Sequence, residues 1–149
     1  MTRCESDSIV IDADPATIFD VLADPSQHAL FDGSGSVKGS LAGPPRLYLG
    51  AQFAMRMRIG APYLIRNRVV EYDEDRRIAW RHFGRHVWRY ELEPAGGGTA
   101  TRVTESFDYT QAPAAWVYEQ IGLPARNRNA IQASLQQLKV LVESRVRTA

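Results

Sequence analysis

Cysteine is nearly absent from this sequence. Cys4 is the only one, which excludes an intramolecular disulfide and a cysteine-based zinc site. Lysine is almost as scarce: Lys38 and Lys139 are the only two among 18 basic residues, and 17 acidic residues leave a formal net charge of +1. A protein whose main task is neutralising phosphates carries a strong basic excess, so nucleic acid is not the expected partner. No run approaches the ~20 apolar residues of a membrane span. Met1 to Asp12 holds acidic residues and no apolar stretch of signal-peptide length, so integral membrane association is not expected and a cytoplasmic location is. A phosphate-cradling loop is lacking, because Gly96-Gly97-Gly98 joins two strand patterns and opens no helix. Ser34 and Ser36 sit among glycines but no G-x-S-x-G elbow surrounds them, which disfavours a serine hydrolase. Neither a cofactor nor a metal is expected.

What is present is 149 residues, 44% of them apolar, enough for one domain spanning 1–149. A chain of this length buries roughly 68–70% of its unfolded surface and needs no covalent staple. The abundance of arginine, alanine and glycine fits a GC-rich bacterial genome.

Ser8-Ile9-Val10-Ile11 reads as a strand. Asp14-Pro15 is a helix start, the carboxylate capping free N–H groups and proline occupying the first turn. Ile18, Val21 and Leu22 give that helix one apolar face. Asp24-Pro25 repeats the signal for a second short helix ending near Phe31. Asp32 to Ser36 and Gly43-Pro44-Pro45 read as loops. From Phe53 the period becomes two: Phe53, Met55, Met57 and Ile59 alternate with Ala54, Arg56 and Arg58. With Gly60-Ala61-Pro62 as the turn, Ile59 is expected opposite Tyr63, Met57 opposite Ile65, Met55 opposite Asn67 and Phe53 opposite Val69. Arg56, Arg58, Arg66 and Arg68 then share the other face, read as solvated, with an acidic partner or an anionic membrane as the functional alternative.

A second hairpin, turning at Phe83-Gly84-Arg85, places His82 opposite His86, Trp80 opposite Trp88 and Ile78 opposite Tyr90. In the last strand Thr101, Val103, Glu105, Phe107 and Tyr109 point inward. Pro113 opens a helical stretch interrupted at Gly122-Leu123-Pro124. Ile131, Leu135, Leu138 and Val142 then form a stripe on a long helix from about Ala125 to about Arg145. The plan is α+β: a curved antiparallel sheet wrapped around a long C-terminal helix, with two short helices after the first strand.

The buried-face residues are the candidate site. An inward Glu105 must find a partner or take up a proton, so it is the candidate acid/base or ligand anchor, with His82 or Tyr90 as helper. The competing reading pairs it with Arg126, Arg128 or a cavity histidine. His82 and His86, beside a turn at the sheet edge, are expected at the rim and make a weak metal signal. Tyr63 and Asn67 supply polar groups on an apolar face. Phe53, Met55, Met57, Trp80, Trp88 and Phe107 are core, or the wall of an adaptable apolar pocket.

Asp14-Pro15 with Phe19 and Leu22, Asp24-Pro25, Asp32-Gly33-Ser34-Gly35, the strand Arg77 to Arg81, Trp88 to Leu92, and Gly98-Thr99 leading into Val103-Thr104 resemble the START-like helix-grip superfamily (SRPBCC). Within it the chain resembles the polyketide cyclase/dehydrase-like group over nearly its whole length. Members often carry Trp near the position where this chain reads Ala29-Leu30-Phe31. The resemblance implies a deep cavity between sheet and C-terminal helix for an apolar or polyaromatic small molecule, lipid or polyketide-like. Its motifs mark the fold and none is a catalytic signature. Ligand binding is the expectation, polyketide cyclisation or dehydration through Glu105 the alternative, and a protein-interaction or regulatory module the third reading. Enzyme activity and homodimerisation stay open.

Overall fold

The computed structural model describes residues 3–81 and 84–148, with Leu41 described by its backbone only. Seven strands form one antiparallel sheet in the order β1-β7-β6-β5-β4-β3-β2. They are β1 (Cys4–Ile11), β2 (Val37–Ala42), β3 (Gln52–Ile59), β4 (Ala61–Asp73), β5 (Arg77–Arg81), β6 (Val87–Ala95) and β7 (Ala100–Asp108). Between the edge strands β1 and β2 run helix α1 (Pro15–Leu22), a single 3-10 turn (Pro25–Gln27) and α2 (His28–Phe31), and the chain ends with α3 (Ala115–Gln120) and α4 (Leu123–Thr148). The expected helix-grip plan is the observed one.

The starts of the two short helices follow the sequence chemistry. The Asp14 carboxylate accepts from the Thr17 N–H at 2.8 Å, and Asp24 accepts from the Ser26 N–H at 3.0 Å, with Pro15 and Pro25 in the first turns. Ile18, Phe19, Val21 and Leu22 are buried. α4 packs against β1, β7 and α2, and Ile131, Leu135, Leu138 and Val142 are all at most 2% exposed, which confirms the stripe. Its register on β1 is pinned from outside. Lys139 Nζ donates to the Val10 carbonyl at 2.9 Å, and the Asp12 N–H donates to Glu143 at 2.9 Å.

Three features depart from the sequence reading, two of them corrections and one a strand the sequence did not suggest. The first hairpin turns on Gly60 alone, so Ile59 faces Ala61, Met57 faces Tyr63, Met55 faces Ile65 and Phe53 faces Asn67. Gly60 adopts φ +72, a left-handed conformation open to glycine at little cost. Ala61 and Pro62 therefore join the strand, and Pro62 is tolerated because this end of β4 pairs only with β3. The shift is two residues, and a period of two keeps every side chain on its expected face. Second, residues 37–42 form β2, where the sequence shows no alternation; two register shifts against β3 interrupt it. Third, α4 begins at Leu123, so Pro124 sits in its first turn, where it needs no N–H partner, and Gly122 at φ +72 makes the break from α3.

Trp80 faces Trp88 and Ile78 faces Tyr90 as expected. His82 lies outside the described residues, as does Phe83. On the outer face, Arg89 binds Glu71 at 2.6 Å and Asp108 at 3.4 Å, and Arg77 binds Glu91 at 3.1 Å. Arg56, Arg58, Arg66 and Arg68 are exposed and join no salt bridge among the described residues.

Candidate functional site

A cavity of about 450 Å³ opens between the inner sheet face and α4. From β3 and β4 come Phe53, Met55, Met57, Ile59, Tyr63, Ile65 and Asn67; from β5 to β7 come Trp80, His86, Trp88, Tyr90, Glu105 and Phe107. His28 and Phe31 of α2, the loop from Asp32 to Ser36 and the first three turns of α4 complete the wall. Ile59, Tyr63 and Arg126 are exposed at the mouth, whereas Phe53, Tyr90, Glu105 and Phe107 are buried.

The walls converge because one close approach holds the loop after α2 against α4. The Gly33 N–H donates to Ser134 Oγ at 2.7 Å. A Cβ on Gly33 would lie 2.4 Å from the Ser134 backbone nitrogen, so only glycine permits this contact. The loop itself is folded around Asp32, whose carboxylate accepts from the Ser34 N–H at 3.2 Å, the Ser34 hydroxyl at 2.8 Å and the Val37 N–H at 3.0 Å.

An aromatic cage occupies the inner half. His28 stacks on Trp80 at 4.8 Å, Phe53 meets Trp80 edge-on at 5.8 Å, and Trp88 lies 4.9 Å from Phe107. His28 Nε2 donates to the Leu22 carbonyl at 2.9 Å. Burial holds its pKa down to about 4, an effect the Leu22 carbonyl and the charges of Asp24 and Asp32 only partly offset. His86 is likewise pushed down to about 4 by burial. It is 7% exposed, stands between Phe107 and Tyr118, and its Nδ1 lies 3.2 Å from the Tyr118 hydroxyl. It is therefore an interior residue, not the rim residue expected from its place beside a turn; α3 folds over that sheet edge and supplies Tyr118. Both imidazoles are neutral at pH 7, and no cluster of metal-ligating side chains occurs among the described residues.

Glu105 is 4% exposed and is the register partner of Tyr90 across β6 and β7. Burial raises its pKa well above the usual carboxylate range, the Tyr90 hydroxyl pulls it back in part, and the Asp32 charge adds to the rise. Burial and the same two carboxylates push the Tyr90 phenol well up too. Burial thus favours the protonated acid at Glu105. Its Oε1 has no hydrogen-bond partner among the described residues. No ion pair with Arg126 or Arg128 forms; both are exposed on α4.

Every described side chain expected at a site, Glu105, Tyr90, Phe53, Met55, Met57, Tyr63, Asn67, Trp80, Trp88 and Phe107, lines this cavity. His28, Asp32, Ser134 and Asn127 also line it and carried no expectation. Their one available signal was the spacing of His28 and Phe31, i and i+3 on a helix after Asp24-Pro25, which places both on one face.

A half-barrel sheet gripping a C-terminal helix around such a cavity defines the START-like helix-grip class. The chain belongs to the polyketide cyclase/dehydrase and lipid transport family, whose model matches residues 4–143. The uncharacterized protein Rv0088 of Mycobacterium tuberculosis is 38% identical over 138 residues, covering 89% of this chain and 61% of that protein. The chain thus spans about three fifths of that relative. Among solved structures, protein NE0264 of Nitrosomonas europaea superposes with a TM-score of 0.71 at 15% identity, covering 97% of this chain and 96% of that one. The polyketide-cyclase-like protein Cgl2372 of Corynebacterium glutamicum gives 0.61 at 18% identity, covering 98% and 94%. These likenesses establish the fold.

Proposed function

We propose that this domain binds an apolar small molecule, lipid or polyketide-like, between the sheet and α4. The observation that carries the reading is the cavity of about 450 Å³ with an aromatic and methionine wall. That size lies in the range of small-molecule sites, roughly 300–1,000 Å³, and a wall with few polar groups is what such sites share. Met55 and Met57 let the wall adapt to the ligand's shape. No helix among the described residues is long and apolar enough to cross a membrane. We further propose that residues 1–149 are one domain that acts in the cytoplasm.

The experiment is native mass spectrometry of the purified protein, followed by denaturing extraction. A co-purified apolar compound supports the reading, whereas a chain-mass protein that also takes up no apolar probe overturns it.

A second reading is favoured by one observation. Glu105 and Tyr90 stand side by side in the cavity wall, and a carboxylic acid whose proton is held by burial is suited to give a proton to a carbonyl oxygen. On that reading Glu105 is the acid of a cyclisation or dehydration and Tyr90 tunes it. Turnover of a polyketide surrogate that vanishes in Glu105→Gln while binding persists would support it.

A further inference from the structure

We infer that the inner end of this cavity selects a ligand bearing an uncharged oxygen acceptor, a ketone or ester carbonyl on an aromatic or alicyclic body, and rejects a carboxylate or phosphate there. The inference rests on the proposed binding role and narrows its ligand class.

Two observations carry it. Glu105 Oε1 is buried in the cavity wall with no hydrogen-bond partner among the described residues. A buried polar atom left unpaired is costly, and a ligand atom that pairs with it is correspondingly favoured. The kind of atom follows from charge. Among the described lining residues the charged or chargeable groups are Asp32, Glu105, Arg126, the imidazoles of His28 and His86 and the phenols of Tyr63 and Tyr90, and burial raises the pKa of both phenols. Arg126 is exposed at the mouth, and the imidazoles are held neutral by burial, so among the described residues the inner end holds no cation. The Asp32 carboxylate, which accepts from the Ser34 and Val37 N–H groups, also lines the cavity and adds an acidic group to it. An anionic head placed at Glu105 would lose its water, meet that acidic wall and find no counterion. A neutral carbonyl meets the Glu105 hydroxyl as an acceptor, beside the aromatic cage of Trp80, Trp88 and Phe107. A fatty acid inserted tail-first would press methylenes against Oε1 and leave it unpaired.

The test uses three probes of matched shape: naphthyl methyl ketone, its carboxylate counterpart naphthoate, and ethylnaphthalene. Affinities are read from tryptophan fluorescence at neutral pH for the wild type, Glu105→Leu and Glu105→Gln. The ketone is expected to bind the wild type about tenfold or more tighter than either other probe. Glu105→Leu should equalise ketone and ethylnaphthalene while retaining the latter, which shows that the cavity is intact. Glu105→Gln keeps a donor and should preserve most of the preference. Naphthoate binding as tightly as the ketone, or a ketone preference that survives in Glu105→Leu, would overturn the inference while leaving the binding role standing. Failure of all three probes to bind would overturn the binding role and this inference with it.

Discussion

His28 lies flat on Trp80, ring centroids 4.8 Å apart and planes 20° from parallel, with its Nε2 proton committed to the Leu22 carbonyl. Charging this ring inside the core is unfavourable, which is why its pKa falls from 6.5 to about 4. The unfolded chain takes up the proton near pH 6.5 and the folded one only near 4. The neutral ring's contribution is therefore complete above pH 6.5 and is lost as pH falls through that window, by about 3 kcal/mol. Urea unfolding at a series of pH values should show this loss, steepened by His86, which is held near 4 by the same cause. In His28→Gln the slope between about pH 6.5 and 4 should drop by roughly one proton. An unchanged slope would show that His28 titrates normally.

Glu105 works against stability in the unliganded protein. Its buried Oε1 lacks a partner among the described residues, and its pKa is raised, so the unfolded chain ionises at a lower pH than the folded one. Stability contributed by the protonated acid is present below the ordinary carboxylate value of 4.5 and declines as pH rises above it. Glu105→Leu should therefore stabilise the unliganded protein at pH 7 by about 1–3 kcal/mol, with a gain that shrinks towards pH 4. Thermal melts at the two pH values check this. A site residue whose removal stabilises the fold is the pattern expected where function is kept at the expense of stability.

The inner sheet face was legible in the sequence because alternation carries it. Phe53, Met55, Met57, Trp80, Trp88 and Glu105 follow a strict period of two, and a hairpin register wrong by two residues leaves that face unchanged. β2 was not legible. Its six residues include Gly39, and two register shifts break its ladder with β3, so no period survives in so short a segment. His28 was hidden for a similar reason. A four-residue helix is too short to display a stripe, and whether its imidazole faces water or Trp80 is decided by how α2 docks. Likewise Tyr118, which covers His86, comes from α3 and meets it only in the folded chain.

Gly33 sets how closely the cavity loop approaches α4. A methyl group there would lie 2.4 Å from the Ser134 nitrogen and 2.5 Å from the Ala133 Cβ, contacts that the helix backbone cannot relieve without moving. Gly33→Ala should cost about 1–3 kcal/mol, the usual range for forced overpacking, and should weaken ligand binding by displacing Asp32 and Ser34 from the wall. Ser134→Ala removes only the hydroxyl that accepts the Gly33 N–H at 2.7 Å and should cost about 1 kcal/mol. Denaturant midpoints for the two variants would separate steric from hydrogen-bond effects, and equal losses would contradict the close-approach argument.

Tyr90 tunes Glu105, because its hydroxyl is the influence that lowers the carboxyl's raised pKa. Tyr90→Phe removes that hydroxyl and leaves the ring in the cage, so Glu105 should hold its proton to still higher pH. Two measurements read this separately from any loss of packing. The titration of a carbon-13-labelled Glu105 carboxyl should move its midpoint upward in the variant. The affinity for naphthyl methyl ketone, which needs the protonated acid, should persist to correspondingly higher pH, even where its value at pH 7 changes little. A hydroxyl that served only to pack would leave both midpoints in place. A downward movement would mean that Tyr90 stabilises the neutral acid instead, and Glu105 would then depend on Tyr90 for its proton.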